Sequence, residues 1–336
     1  MFDLVIVTHI PVFYKVNLYN EIAKNKCIFV IFVANDTCSK RSNDFITIDE
    51  AAFKYTVLSV EEFENRKIFG TLKKIREELK KIDFRQIIVS GWDLVEFWYI
   101  VFTNKKKKIA LALESTAYES QVDGIKGGVK KLFLSRISKV YASGSLHSAL
   151  LEKLNYQGKV VITKGVGIIR KPEIKYKKTT EWNYRIVYLG RLSQEKNLEM
   201  AIRVVNEFPW LCFDLYGVGP EENALKAIAN DNIHFYGAIP NAKVQEVFKD
   251  ADFLILPSKS ETWGLVVEEA LYFDLPVIVS NRCGVSEIVK NGFVLNFDDF
   301  DIQLYSLLEK YGKGQLVKLD EENVILIKDK DQIDAY

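Results

Sequence analysis

A chain of 336 residues that is 48% apolar can bury two ordinary cores, of about 150 residues each, without a disulfide framework or a metal staple. The four cysteines, Cys27, Cys38, Cys212 and Cys283, are scattered and form no Cys-x-x-Cys or Cys/His cluster, so they read as reduced thiols and not as zinc ligands. A net charge of +1 conceals an asymmetry: residues 1–165 carry 26 of the 46 Lys and Arg but only 18 of the 45 Asp and Glu.

In chain order, Met1-Phe-Asp-Leu-Val-Ile-Val-Thr8 bears an early acid, lacks a basic lead-in and is too short to span a bilayer. It reads as a first strand, Leu4 to Thr8, not a signal peptide, and a cytoplasmic protein is expected. Further strands are predicted at Ile28 to Val33, Tyr55 to Leu58, Gln86 to Ser90, Lys108 to Leu113, Val140 to Ala142 and Val160 to Thr163. Helical patterns fall between several of them, at Asn17 to Lys24, Val60 to Lys81, Leu94 to Phe102, Gly127 to Ile137 and Leu146 to Leu154. Such alternation implies a parallel sheet wrapped by helices. A polar, basic stretch over residues 170–183, with Pro172 and Lys175-Tyr-Lys-Lys178, breaks it and marks a linker. The expected division is a first domain over 1–169 and a second over 184–336 that ends in a short polar tail. In the second, strands are predicted at Arg185 to Leu189, Leu211 to Tyr216, Ile233 to Tyr236, Phe253 to Leu256 and Val277 to Ser280.

Two turns of the second half carry the chemistry. After the run Tyr184 to Leu189, Gly190 allows a tight turn, and Arg191 and Lys196 precede the amphipathic segment Leu198 to Val205. Two cations beside a helix start can neutralise a diphosphate and stabilise a departing nucleoside diphosphate. After the apolar run ending at Leu256 and Pro257, Ser258-Lys-Ser-Glu261-Thr262-Trp263-Gly264-Leu265-Val-Val-Glu268-Glu269 sets two carboxylates around a glycine, with seven residues between Glu261 and Glu269. A loop at the carboxyl end of a parallel strand that opens onto a helix N-terminus is where α/β proteins bind ligands and where backbone N–H groups favour phosphate. One carboxylate there can take sugar hydroxyls and the other a ribose diol. Taken alone, Glu268-Glu269 also suits an acidic first turn that complements the helix dipole. Gly217 and Gly219, in Tyr216-Gly-Val-Gly219, follow a strand, but Glu222 occupies the place of the third glycine of a dinucleotide fingerprint. They are either walls of a nucleotide pocket or a tight turn that packing requires.

These segments resemble retaining glycosyltransferases of the GT-B fold, the group-1 or family-4 enzymes. Glu261 and Glu269 stand at the ends of their Glu-x7-Glu motif, and Gly190-Arg191 with Lys196-Asn197 matches their Gly-Arg-x-x-x-x-Lys-Asn turn. Pro276 to Ser280, Cys283-Gly284 and Asn291-Gly292 follow the same pattern, so the likeness is strong over Tyr184 to Leu295 and rests on alternation alone before it. The resemblance implies two Rossmann-like parallel-sheet domains facing a central cleft, with a UDP- or GDP-sugar donor held mainly by the second and the acceptor by the first. It implies Glu261, Arg191 and Lys196 in the chemistry, and Glu269, Gly190, Gly217, Gly219, Thr262, Trp263, Gly264 and Leu265 around the donor. No cofactor and no obligatory metal is expected; Asp298-Asp299 and Asp329-Lys-Asp331 read as solvated acids of the tail.

On the acceptor side, His9 ends the first strand, Tyr14 and Lys15 follow in a loop that leads to Asn17 at the start of the next helical pattern, and Glu114 ends the strand Lys108 to Leu113. Glu114 either serves the reacting centre, caps the helix that follows or pairs with a lysine. His147 and His234 read as structural or surface residues. The segment Lys126 to Lys139, preceded by Lys105-Lys-Lys-Lys108, separates apolar from basic positions on a helix and either rests on anionic lipid or packs on its own sheet. No zinc motif, helix-turn-helix or aromatic interleaving points to nucleic acid. The expected activity is sugar transfer to a glycan or lipid-linked acceptor. A GT-B epimerase or phosphorylase, or a non-catalytic nucleotide-sugar-binding subunit, is the rival reading.

Overall fold

The computed structural model describes residues 1–38, 45–175, 181–316 and 324–336. They form two compact units, Met1–Arg170 with Lys328–Tyr336, and Lys171–Ile327.

The first unit holds seven strands: β1 (Phe2–Thr8), β2 (Ile28–Ala34), β3 (Lys54–Ser59), β4 (Phe84–Val89), β5 (Ile109–Leu113), β6 (Lys139–Ala142) and β7 (Lys159–Ile162). They pair in the order β3-β2-β1-β4-β5-β6-β7, every pair parallel. Strand residues alternate between two apolar layers. Val5, Val7, Ile87, Val89 and Leu111 face one, Leu4, Ile6, Val30, Phe32 and Ile88 the other. Burial on both faces is why these strands read as unbroken apolar runs. Chain order reverses between β1 and β4, so the loops that follow these two strands diverge and leave a crevice at their carboxyl ends.

The second unit repeats the scheme with six strands: β8 (Arg185–Leu189), β9 (Cys212–Tyr216), β10 (Ile233–Gly237), β11 (Phe253–Leu256), β12 (Val277–Ser280) and β13 (Gly292–Leu295). Their order is β10-β9-β8-β11-β12-β13, again parallel throughout. Here the reversal lies between β8 and β11. The expected α/β class with two Rossmann-like parallel sheets is the observed one.

Three expectations are corrected. The first helix is Phe13–Ala23 and begins before the expected Asn17, so Tyr14 and Lys15 sit on its opening turn and not in a loop. Val12 is the last extended residue before it, and the buried Lys15 finds an ion-pair partner in Glu114. The long helix expected from Val60 begins only at Ile68, because Arg66 is held in extended backbone, where its guanidinium grips Glu96 on the helix Val95–Thr103 and donates to the Phe63 carbonyl. The tail is not a solvated part of the second domain. Residues 324–335 are helical, and Lys328–Tyr336 belongs to the first unit. Lys328, Asp329 and Gln332 are buried, Asp331 pairs with Lys164 at 2.7 Å, and the Tyr336 ring stacks on Tyr141 at 4.5 Å. Polar residues at the buried positions of this helix hide its periodicity in the sequence.

Glu96 is fully buried and takes hydrogen bonds from Arg66 and from the Thr71 hydroxyl at 2.7 Å, which joins helices Ile68–Lys81 and Val95–Thr103. Burial alone would raise its pKa, but those donors hold it below the ordinary glutamate value. Its contribution to stability is therefore present above the unfolded-state pKa of about 4.3 and lost as pH falls through the lower folded value. Glu96→Ala should destabilise the first unit by about 3–5 kcal/mol, since it strands the Arg66 charge. Urea unfolding at neutral pH checks this, and the gap to the wild type should close in acid.

Candidate active site

The β8 and β11 loops meet in the crevice of the second unit. Beyond β8, Gly190 donates to the Tyr216 carbonyl and Leu192 to that of Val218, so this loop runs backbone to backbone with the one after β9. The approach leaves no room for side chains: a Cβ at Gly217 would lie 1.8 Å from the Gly190 oxygen, and one at Gly219 2.0 Å from that of Leu192. Both glycines are thus required by packing under the loop that carries Arg191. Gln194–Lys196 then makes a single 3-10 turn, closed by Asn197 in the left-handed region, and the helix Leu198–Val205 begins.

That turn directs Lys196 into the crevice, where its ammonium donates to the Glu261 carboxylate; the two side chains are 17% and 16% exposed. Arg191 is exposed, and its carbonyl accepts the Tyr188 hydroxyl at 2.8 Å. Lys196 and Arg191 are therefore not equivalent: one is committed to a carboxylate inside the crevice, the other stands at its edge. Glu195, which sequence reasoning passed over, ties the two loops together, since its carbonyl accepts from Lys259 N–H at 2.8 Å. Burial would raise the Glu195 pKa, but the Ser193 hydroxyl at 2.5 Å and the Lys196 and Arg191 charges hold it below the usual range.

Glu261 is positioned from behind by the turn after β12. It donates its N–H to the Arg282 carbonyl at 3.3 Å and accepts from Gly284 at 3.0 Å, while Val285 donates to Trp263 at 2.9 Å. Cys283 is buried in this turn, and burial reinforced by the Glu261 charge pushes its thiol up to about 12. Gly264 has φ +108° and starts the helix Leu265–Tyr272 with no side-chain cap, so the first N–H groups of that helix are left for a ligand. Glu269 is half-buried on its second turn, and Thr262 and Leu265 are half-buried beside Gly264. Trp263 differs from expectation: its ring is buried, and its indole N–H donates to the buried Glu268 at 2.5 Å. It is a floor for the loop and offers no side chain to a donor. Of the adjacent acids, Glu268 is thus structural and Glu269 faces outward, a distinction that helix register decides and a bare Glu-Glu pair does not.

In the first unit, Lys15 is buried and pairs with Glu114 at 2.9 Å. Burial would lower the lysine pKa, but Glu114 and the neighbouring Tyr19 and Tyr14 outweigh it and hold Lys15 protonated well above its ordinary value. Of the three expected roles, pairing with a lysine is the one observed for Glu114. Asn17 donates to the Ile168 carbonyl at 3.0 Å, and the Tyr14 carbonyl accepts from Ile168 N–H at 2.8 Å, so these two residues brace the segment after β7. His9, at the end of β1, bonds through Nε2 to Asp93 Oδ2 at 2.8 Å, across the crevice from the loop after β4. Asp93 had no sequence signal, because its partner is 84 residues away.

With this geometry the chain can be compared with known proteins. Residues 169–305 match the family model for glycosyl transferases group 1. The sulfoquinovosyl transferase SQD2 of Arabidopsis thaliana is 30% identical over 123 residues, 34% of this chain and 24% of that protein. The GtfA subunit of the UDP-N-acetylglucosamine–peptide N-acetylglucosaminyltransferase of Streptococcus agalactiae is 33% identical over 132 residues, 35% of this chain and 24% of that protein. The chain thus spans about a quarter of the length of these relatives. Two solved structures align along the whole chain. The lipopolysaccharide outer core galactosyltransferase WaaB, with TM-score 0.66 and 16% identity, is covered over 96% of its length. HepE of Anabaena in complex with UDP and glucose, with TM-score 0.67 and 14% identity, is covered over 95%. The shared fold is the two-domain GT-B architecture.

Gly217 has φ +141° as well as no space, so Gly217→Ala should force the β8 loop away and lower the thermal midpoint more than Gly264→Ala. The latter meets Leu256 at 3.0 Å and Val285 at 3.2 Å and should cost about 1–3 kcal/mol from backbone strain. Calorimetry of both variants gives the order.

Proposed function

We propose that this protein is a retaining glycosyltransferase that moves a sugar from a UDP- or GDP-sugar to a glycan or lipid-linked acceptor in surface polysaccharide or glycolipid synthesis. The observation that carries the reading is the Lys196–Glu261 pair beside the uncapped N-terminus of helix Leu265–Tyr272, inside the stretch that matches glycosyl transferases group 1. An ammonium has three donors, so Lys196 can keep one on Glu261 and turn the others to the β-phosphate. The helix N–H groups and Arg191 complete a cradle for the diphosphate. Glu269 takes the ribose diol, and the free oxygen of Glu261 takes a hydroxyl of the transferred sugar.

In this mechanism the bond from the anomeric carbon to the phosphate oxygen breaks as the acceptor oxygen attacks the same face. The acceptor proton passes to the departing phosphate oxygen. Lys196 and Arg191 stabilise the charge that grows on the diphosphate, so neither a metal nor a cofactor is needed. The Lys15–Glu114 pair places a mutually neutralised ion pair at the carboxyl end of β5, on the acceptor side.

A membrane contact suits a lipid-linked acceptor, and the helix Gly124–Ser135 supports it. Phe133 and Leu134 of this helix are buried, but Ile125, Val129 and Leu132 share its opposite face and are 87%, 44% and 54% exposed. Lys126 and Lys131 flank that stripe and are exposed. An apolar stripe edged with lysines fits an anionic lipid surface on the cytoplasmic side. No helix among the described residues is long and apolar enough to cross a membrane.

Nucleotide release should be measured with UDP-, GDP-, ADP- and CMP-sugars, with and without membrane extract. Glu269→Ala and Lys196→Ala should each lose roughly 2–4 kcal/mol of transition-state stabilisation in kcat/KM. Near-normal turnover by both folded variants would sink the assigned pocket, and donor binding without release under every condition would favour a non-catalytic subunit. Exchanging Ile125 and Leu132 for Glu should abolish sedimentation with phosphatidylglycerol vesicles; retained binding would refute the membrane contact.

A further inference from the structure

The polar groups at the β1/β4 crevice of the first unit have an order that the proposed chemistry does not use. His9 is clamped on three sides. Its Nε2 bonds to Asp93 at 2.8 Å, its ring stands edge-on to Phe97 with centroids 5.2 Å apart, and Phe63 lies 5.6 Å away on another side. Asp93 is itself placed with care. Gly91, at φ +124°, precedes it, and a Cβ there would lie 2.7 Å from the Asp93 carboxylate. The indole of Trp98 donates to the Trp92 carbonyl at 2.8 Å and anchors the same loop. Burial would raise the Asp93 pKa, but His9 and the Lys15 charge hold it below the usual range, so the group is an ionised, acceptor-only carboxylate.

An ionised carboxylate fixes the tautomer. Nε2 must donate, and in a neutral imidazole that donation leaves the lone pair on Nδ1. Among the described residues His9 makes no second hydrogen bond, and Nδ1 is not a sealed buried atom. Its side chain is 28% exposed and that of Asp93 58%. The open nitrogen therefore belongs to a rigid ring at the carboxyl ends of β1 and β4, where parallel α/β sheets bind ligands. Nearby, the Lys15–Glu114 pair already satisfies its own charges.

We infer that the first unit carries an acceptor contact in which His9, oriented by Asp93, receives a hydrogen bond at Nδ1 from a hydroxyl of a sugar or polyol acceptor. His9 touches the substrate and Asp93 is a positioning residue. This deepens the transferase reading and rests on it. The contact selects a hydroxyl donor over a methylated or acylated position, because only a donor satisfies an imidazole lone pair.

Asp93→Asn provides a sharp test, since its amide can donate to Nε2 and so moves the ring proton to Nδ1, closing the acceptor position with almost no change in shape. In protein labelled with ¹⁵N-histidine, the long-range spectrum of the wild type should show His9 as the Nε2–H tautomer, assigned by its loss in His9→Gln. The same resonance should move when octyl glucoside or octyl galactoside is added. In Asp93→Asn it should switch to Nδ1–H, and the ratio of acceptor-stimulated transfer to acceptor-independent nucleotide release should fall roughly 10- to 100-fold, the scale of one lost hydrogen bond at a polar site. His9→Gln, which restores an acceptor oxygen, should recover more of that ratio than His9→Ala. A wild-type Nδ1–H tautomer, a His9 signal indifferent to both glycosides, or an unchanged ratio in Asp93→Asn would each overturn the inference. If the wild type releases no nucleotide from any donor, the transferase reading falls, and the tautomer and glycoside shifts then decide the contact separately.

Discussion

The parallel pairing of β8 with β11, through Ile186 with Phe253 and Val187 with Leu254, is the constraint on which the second unit depends. β9 and β10 extend the sheet on one side and β12 and β13 on the other. The loops that leave β8 and β11 must therefore part, and only there can Lys196 and Glu261, 65 residues apart, share a hydrogen bond. The rest of the site is support for that meeting: the glycine floor under the β8 loop, the Glu195 carbonyl that ties the two loops, and the Cys283 turn behind Glu261. A charged pair this enclosed is held by geometry and not by attraction alone, because half-buried ions repay their desolvation only when both are fully hydrogen-bonded.

The first unit follows the same logic with different groups. Its reversal between β1 and β4 brings His9 to Asp93, and Lys15 from the opening turn of helix Phe13–Ala23 reaches Glu114 beyond β5. Each unit thus places opposed charges or an oriented imidazole at the divergence of two loops, on a scaffold of doubly buried strands. Precision comes from the scaffold: Phe97 beside His9 belongs to a fully buried helix position, and Glu96 next to it locks that helix to its neighbour.

The sheet architecture was legible because strands buried on both faces read as apolar runs whatever their neighbours. The residues of the β8/β11 crevice were legible because Gly190 to Asn197 and Glu261 to Glu269 lie within two short segments, and the structure brings Lys196 of one against Glu261 of the other. What stayed hidden was relational. Asp93 is an unremarked acid until the fold sets it against His9, and Trp263 looks like a ligand-facing aromatic until helix register turns it onto Glu268. Glu114 could serve, cap or pair, and the pairing is visible only once the early start of the first helix carries Lys15 inward. The terminal helix escaped for the opposite reason. Lys328, Asp329 and Gln332 sit where apolar residues would announce a buried face.

The internal neutralisation of Lys196 has a kinetic side. A bare lysine in a recess projects a positive potential that gathers any passing phosphate, and ionic strength governs such capture. With Glu261 against it, Lys196 itself adds little net charge to the recess, in a half of the chain where acids outnumber bases. Lys196 then draws in little phosphate from a distance, and a ligand that uses it must offer at contact range enough to share the ammonium with its carboxylate. On the proposed reading, the pair acts as a threshold that favours a molecule bringing phosphate and hydroxyl groups together.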